Sequence, residues 1–342
     1  MQVQPKEGLR LRAQPSTKAK TLIVIPQNSG VILLSIGIVE ADGYHWLNVK
    51  YAGFSGWVAA EYLKATPTIP PSDAYRFGLH VYPQTGADAA QNGNENLYHT
   101  AERLFNLKRP MSFTVLDIEQ ANRLAPFAKY LIYRPYINEH INLDGDAKQL
   151  GEQWVYQHID KLNYLIKSNN IYIQMTNEGD NCDTKDVKFG DFNLGIMNAL
   201  EHISRKGVIF NDAVGVPELI DIQNRNAAIQ HAKQFNHLIG YHAYGELNRD
   251  ASDVDANNQK YYSHRYKWLY PTDVKIVLNE AGRFDPKFLS IENTVNDMKL
   301  FNKQIASNVV AVNWWQYNGN GSNWNQSVLN SALPSIEAMI KI

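Results

Sequence analysis

The sequence predicts an α/β protein, a (β/α)8 barrel preceded by a small all-β domain. Three observations predict it. From about residue 73 onward, apolar runs of strand length alternate with segments of helical periodicity, as in a parallel sheet with crossover helices. Eight such runs fall in the 269 residues from 74 to 342, close to the roughly 250 residues of an eightfold barrel. The first 64 residues behave differently: they alternate at strand period and break at turn residues every few positions.

Within 1–64 the alternation predicts strands over 9–12, 21–25, 31–36 and 46–50. Turns are expected at Ala13-Gln14-Pro15-Ser16, Pro26-Gln27-Asn28-Ser29-Gly30 and Asp42-Gly43. Leu9-Arg10-Leu11-Arg12-Ala13-Gln14-Pro15-Ser16, Gly43-Tyr44-His45-Trp46-Leu47-Asn48-Val49 and the closing Gly56-Trp57-Val58-Ala59-Ala60-Glu61-Tyr62-Leu63 are similar to the motifs of the bacterial SH3-like domain. That resemblance implies a module that binds cell-wall peptide or serves as a spacer on an envelope enzyme, and so a place outside the cell or on its envelope. Residues 65–73, with Pro67, Pro70 and Pro71 among small polar neighbours, read as a semi-rigid linker. The domains are therefore expected at 1–64 and 74–342.

In the second domain, strands are expected over 77–82, 112–117, 130–136, 171–176, 208–211, 238–244, 274–279 and 309–315. Residues 150–168 carry Trp154, Val155, Ile159, Leu162, Leu165 and Ile166 at helical spacing, and 192–205, 224–236 and 291–306 read the same way. A doubly wound open sheet would also alternate, but no glycine-rich phosphate loop follows the first strand.

Composition removes several function classes. A formal net charge of −1 with 20% charged residues offers no basic footprint for nucleic acid. The single cysteine, Cys182, excludes an internal disulfide and a multi-cysteine metal site. No apolar run reaches the ~18–20 residues that span a bilayer, and the N-terminus shows no signal-peptide apolar region. Aromatics are 11% of the chain, and those near loops suit stacking on sugar rings.

Barrel active sites form where the strands end at their C-terminal edge. There the sequence places His80 and Tyr82, Asp117 and Glu119, Tyr133, Arg134 and Tyr136, Asn177 and Glu178, Asn211 and Asp212, His242 and Tyr244, Glu280, and finally Trp314, Trp315 and Tyr317. Two strands each deliver a glutamate, Glu178 on the fourth and Glu280 on the seventh, as a two-carboxylate glycosidase requires.

Asn177-Glu178, His242-Ala243-Tyr244, Glu280 and the Trp314-Trp315 pair, in that strand order, resemble the clan A retaining glycoside hydrolases, whose fold is the TIM barrel. The resemblance implies that Glu178 is the acid/base, Glu280 the nucleophile, and Asn177 the residue that binds the sugar 2-hydroxyl. The family's arginine beside the nucleophile comes from strand two. Here strand two ends Leu116-Asp117-Ile118-Glu119, and Arg134 on strand three is the substitute.

Chemistry points the same way. Arg134 and the Tyr244 hydroxyl would keep Glu280 ionised, and ionised Glu280 would raise the pKa of Glu178. Trp315 would floor the sugar ring, with His80, Tyr82, Tyr133, His242, Trp314 and Tyr317 as further substrate contacts. The expected substrate is a β-linked polysaccharide or oligosaccharide, with no cofactor and no metal.

Two alternatives remain from the sequence. Asp117 and Glu119, two apart on one strand face, could serve a lysozyme-like cell-wall hydrolase. The barrel could also be catalytically silent and bind glycan.

Overall fold

The structure, a computed structural model, describes residues 2–27, 29, 31–64, 76–82, 93–137, 141, 143–178, 187–245, 262–282, 290–317 and 327–341. The chain divides into two compact units, residues 1–72 and 73–342. The linker expected over 65–73, and Cys182, lie outside the described residues.

The N-terminal unit holds β1 (Gln2–Val3), β2 (Leu9–Arg12), β3 (Thr21–Ile25), β4 (Ile32–Ala41), β5 (Tyr44–Tyr51), β6 (Phe54–Ala59) and β7 (Leu63–Lys64). Five strands form an antiparallel sheet in the order β3-β2-β6-β5-β4, and β1 pairs with β7. Leu9 and Leu11 point inward while Arg10 points out, so the alternation builds a core with Val3, Ile25, Val31, Leu47, Val49, Val58 and Leu63. The β4–β5 hairpin turns at Asp42-Gly43 with φ of 52° and 77°, the left-handed pair that lets a two-residue loop match strand twist. Strand β6 was not expected from the alternation. Its register to β5 follows from an equivalent turn at Ala52-Gly53.

In the second unit β8 (Phe77–Val81), β9 (Ser112–Val115), β10 (Leu131–Tyr133), β11 (Ile171–Gln174), β12 (Lys206–Asp212), β13 (Leu238–Tyr244), β14 (Ile276–Gly282) and β15 (Val309–Tyr317) close into a parallel barrel in sequence order. Ten helices cover it among the described residues: α1 (Gly93–Asn106), α2 (Ile118–Leu124), α3 (Ala147–Tyr156), α4 (Ile159–Asn163), α5 (Val187–His202), α6 (Leu219–Asn224), α7 (Asn226–Phe235), α8 (Tyr266–Leu269), α9 (Ile291–Gln304) and α10 (Ser327–Lys341). All eight expected strands form; the third spans three residues rather than seven. The helix expected over 150–168 begins earlier, at Asp146, whose carboxylate accepts from Gln149 N. It is then divided between α3 and α4.

The barrel interior changes character with height. Ile132, Tyr172, Val208, Leu238, Val277 and Ala311, one from each of six strands, form a buried apolar cluster of their own. Two residues further along, where the pleat again faces inward, stand Gln174, Gly240, Asn279 and Asn313. A register shift at Phe210/Asp212 and a φ of 55° bring Asn211 into the same layer. Above these amides lie the titrating groups.

Candidate active site

Glu280 sits where β14 slips in register against its neighbours, paired with His242 of β13. Both of its oxygens accept strong donors. Arg134 Nη1 donates to Oε1 at 2.9 Å and the Tyr244 hydroxyl to Oε2 at 2.9 Å. Its side chain is 7% exposed, so the attraction to the guanidinium acts in a medium that screens it little. These contacts place a carboxylate, stripped of water but matched in charge, at the mouth of the barrel.

Glu178 follows β11 with a φ of 45°, a conformation that costs a non-glycine residue about 1 kcal/mol or more. Its N–H donates to Asn211 O at 3.0 Å, which holds the turn. His242 Nδ1 donates to Glu178 Oε1 at 3.0 Å and lies 3.5 Å from Glu280 Oε2. One oxygen of each glutamate and the His242 nitrogen all fall within 4.8 Å of one another. The imidazole therefore bridges the two carboxylates.

That bridge reverses one expectation. The hydrogen bond from His242 holds the Glu178 carboxyl below the usual carboxylate range, against the burial that would raise it. On His242, burial opposes charge, but the Glu280 charge and the Glu178 hydrogen bond outweigh it and raise the pKa. Both shifts favour the proton on His242 over the proton expected on Glu178.

His80 is fully buried, its ring nitrogens have no hydrogen-bond partner among the described residues, and Nδ1 lies 3.8 Å from Glu280 Oε1. Burial, helped by Arg134, pushes its pKa well down, so the ring is neutral. Its ring lies against Trp315, centroids 4.5 Å apart. Asn177 directly precedes Glu178, and its Oδ1 accepts from Gln174 Nε2 at 3.3 Å. Tyr82 is half-buried just past β8.

Other expected site residues lie elsewhere. Tyr133, Trp314 and Tyr317 belong to the core between the sheet and its helices; Trp314 meets Phe301 edge-on at 5.9 Å. For Tyr133 and Trp314 the reason is the strand period, since each neighbours an inward position and so points out; for Tyr317 it is the register shift that follows Trp315. Tyr136 is 77% exposed beyond β10. Asp117 and Glu119 do not share a strand face, since β9 ends at Val115. Asp117 caps α2 by accepting from Gln120 N, and Glu119 is exposed in its first turn. Asp212 is buried and paired with Arg225 at 2.8 Å and with the Tyr270 hydroxyl. Sequence reasoning overlooked Gln174 and Asn279. The signal was present: an amide at an inward position of an apolar strand must be hydrogen-bonded to others like it.

Among the described residues, two clusters could be taken for metal sites. At Glu178, His242 and Glu280, the Arg134 cation already occupies the anionic side of Glu280. At Glu201, His231 and His237, Glu201 Oε1 lies 2.6 Å and 3.0 Å from the two Nε2 atoms. There Gly207 N donates to His237 Nδ1 at 2.8 Å, so the proton sits on Nε2, the nitrogen that would have to ligate. Neither donor set suits a cation.

Residues 7–64 match the family model of the bacterial SH3 domain. No curated protein sequence matches the chain. Among solved structures, it is similar to a GH5 xyloglucanase of Bacteroides ovatus in complex with a heptasaccharide, at 10% identity over 87% of this chain and 86% of that one, TM-score 0.49. A mannanase catalytic domain from Streptomyces sp. SirexAA-E aligns at 11% identity over 77% and 85%, TM-score 0.41. Gas2p of Saccharomyces cerevisiae aligns at 12% identity over 79% and 61%, TM-score 0.43. No helix among the described residues is long and apolar enough to cross a membrane.

Proposed function

We propose that the barrel is a retaining glycoside hydrolase, cleaving a β-linked polysaccharide or oligosaccharide by double displacement. The observation that carries the reading is the pair of glutamates whose oxygens approach within 4.8 Å. That approach suits carboxyl groups about 5–5.5 Å apart, the spacing at which one attacks the sugar directly; inversion needs about 6.5–9.5 Å, to admit a water. Glu280, held by Arg134 and Tyr244, is the nucleophile; Glu178 is the acid/base, supplied with its proton through His242. Trp315, backed by the neutral ring of His80, lines the sugar position. The N-terminal unit directs the barrel to envelope or matrix polymer, through cell-wall peptide.

Replacing each glutamate and adding azide tests the assignment. Glu280→Ala should lose turnover by about 10⁴-fold or more, and azide should restore it with inversion, forming a glycosyl azide from the opposite face. Glu178→Ala should keep the first step for aryl glycosides with good leaving groups, and azide should then speed the second step with net retention. Wild-type rates in both variants would remove the pair from the mechanism.

A further inference from the structure

The amide layer below the glutamates has a direction, and that direction can be derived. Asn211 Nδ2 donates to Val208 O at 3.1 Å. A backbone carbonyl can only accept, so it fixes which end of the Asn211 amide is nitrogen. Asn211 Oδ1 therefore faces the other way, where Asn279 Nδ2 donates to it at 3.0 Å. The same Asn279 Nδ2 donates to Gln174 Oε1 at 2.8 Å. With its oxygen engaged there, Gln174 presents Nε2 to Asn177 Oδ1 at 3.3 Å. Each amide sets the next, and the last is left with Nδ2 free. Among the described residues, that Nδ2 has no hydrogen-bond partner.

We propose that Asn279 and Gln174, anchored through Asn211 on Val208 O, are positioning residues that hold Asn177 as a hydrogen-bond donor to the substrate. The proposal rests on the glycosidase reading above. The sugar 2-hydroxyl as the partner of Asn177 is what the resemblance already implies; the relay adds that the two buried amides turn the Asn177 N–H, and not its oxygen, towards that partner. Asn279 directly precedes Glu280 and Asn177 directly precedes Glu178, so the relay ties the two carboxylate-bearing strands through one chain of amides. The burial is complete enough to make the chain obligatory: Gln174, Asn211 and Asn279 are each no more than 1% exposed. A reversed amide anywhere would set two oxygens or two N–H groups face to face, with no water to relieve them. The relay also has room built for it. A Cβ on Gly240 would stand 1.9 Å from Asn211 Oδ1.

The test compares kcat/KM for 2,4-dinitrophenyl β-glycosides with and without the 2-hydroxyl, in the full chain. The wild type should favour the hydroxylated substrate by roughly 10²-fold or more, and Asn177→Ala should abolish most of that preference. Gln174→Met, which keeps the volume and deletes the link, should lower the ratio by at least about tenfold. Its rate on the 2-deoxy substrate should change less. Asn279→Ser cuts the relay one link earlier and should lower the same ratio. Equal losses on both substrates, leaving the ratio unchanged, would overturn the relay and leave the amides a packing role. If the wild type cleaves neither substrate, the glycosidase reading fails. The relay is then decided by neutron diffraction from wild-type crystals: Asn177 Nδ2 turned towards the glutamates upholds it, and Oδ1 there overturns it.

Discussion

At the scale of single residues, the site depends on where one proton rests. The hydrogen bond and the two carboxylates outweigh the burial of the imidazole, raising the pKa of His242 and lowering that of Glu178, which favours the proton on His242. To act as an acid, Glu178 must take that proton across the 3.0 Å contact. The sign follows. His242 has a raised pKa, so the proton is present below it and lost as pH rises through it. Activity should therefore persist above the ordinary histidine range and fall at higher pH. In His242→Gln the proton can only sit on Glu178, and the alkaline limb of kcat/KM should move to lower pH. Near pH 7 the loss should be roughly 10²-fold with poor leaving groups and small with good ones. An alkaline limb that stays in place would show that His242 does not hold the proton.

The same scale shows what the sequence made legible. Glu178, Glu280, Arg134, His242 and Tyr244 could be placed together because each ends an apolar strand and carries a group with evident chemistry. Tyr133, Trp314 and Tyr317 were misplaced because a strand end offers both faces, and a slip of one residue exchanges site for core. The proton on His242 was not legible at all. It depends on a 3.0 Å contact between residues 64 positions apart, and only packing sets that distance.

At the scale of elements, the strands were read from apolar runs, while their irregularities came only from the structure. The register shift in β12 turns Asn211 inward, and Gly240 in β13 leaves the space its oxygen fills. A glycine inside a strand marks such a close approach. Gly240→Ala should accordingly force Asn211 out of the amide layer and cost about 2–4 kcal/mol, from overpacking and a broken buried hydrogen bond. The barrel transition in thermal unfolding should fall by about 5–10 °C. Adding Asn211→Ala should recover part of that loss, since both changes act on one contact. Independent, additive losses would mean that the glycine is not reserved for the amide. The division of the 150–168 helix into α3 and α4, by contrast, left no mark in the periodicity: Val155 of α3 and Leu162 of α4 are both buried and stand at helical spacing.

At the scale of the whole molecule, strand-only alternation gives way to strand–helix alternation near residue 73, and the chain divides into units at 1–72 and 73–342; eight apolar runs were enough for a closed barrel. The barrel carries polar chemistry above an apolar layer, and that contrast is the functional signal: two glutamates, a shared imidazole and a guanidinium stand at the C-terminal end, over the buried amides and the cluster of Ile132, Tyr172, Val208, Leu238, Val277 and Ala311. Trapping the covalent intermediate tests this most directly. The intact chain would be incubated with 2,4-dinitrophenyl 2-deoxy-2-fluoro glycosides of the sugar that the wild type cleaves, then weighed and digested. The expected result is one added glycosyl mass on the peptide that contains Glu280, with one equivalent of dinitrophenol released. A label on any other carboxylate, or cleavage of the parent glycoside with inversion and no label at all, would contradict it.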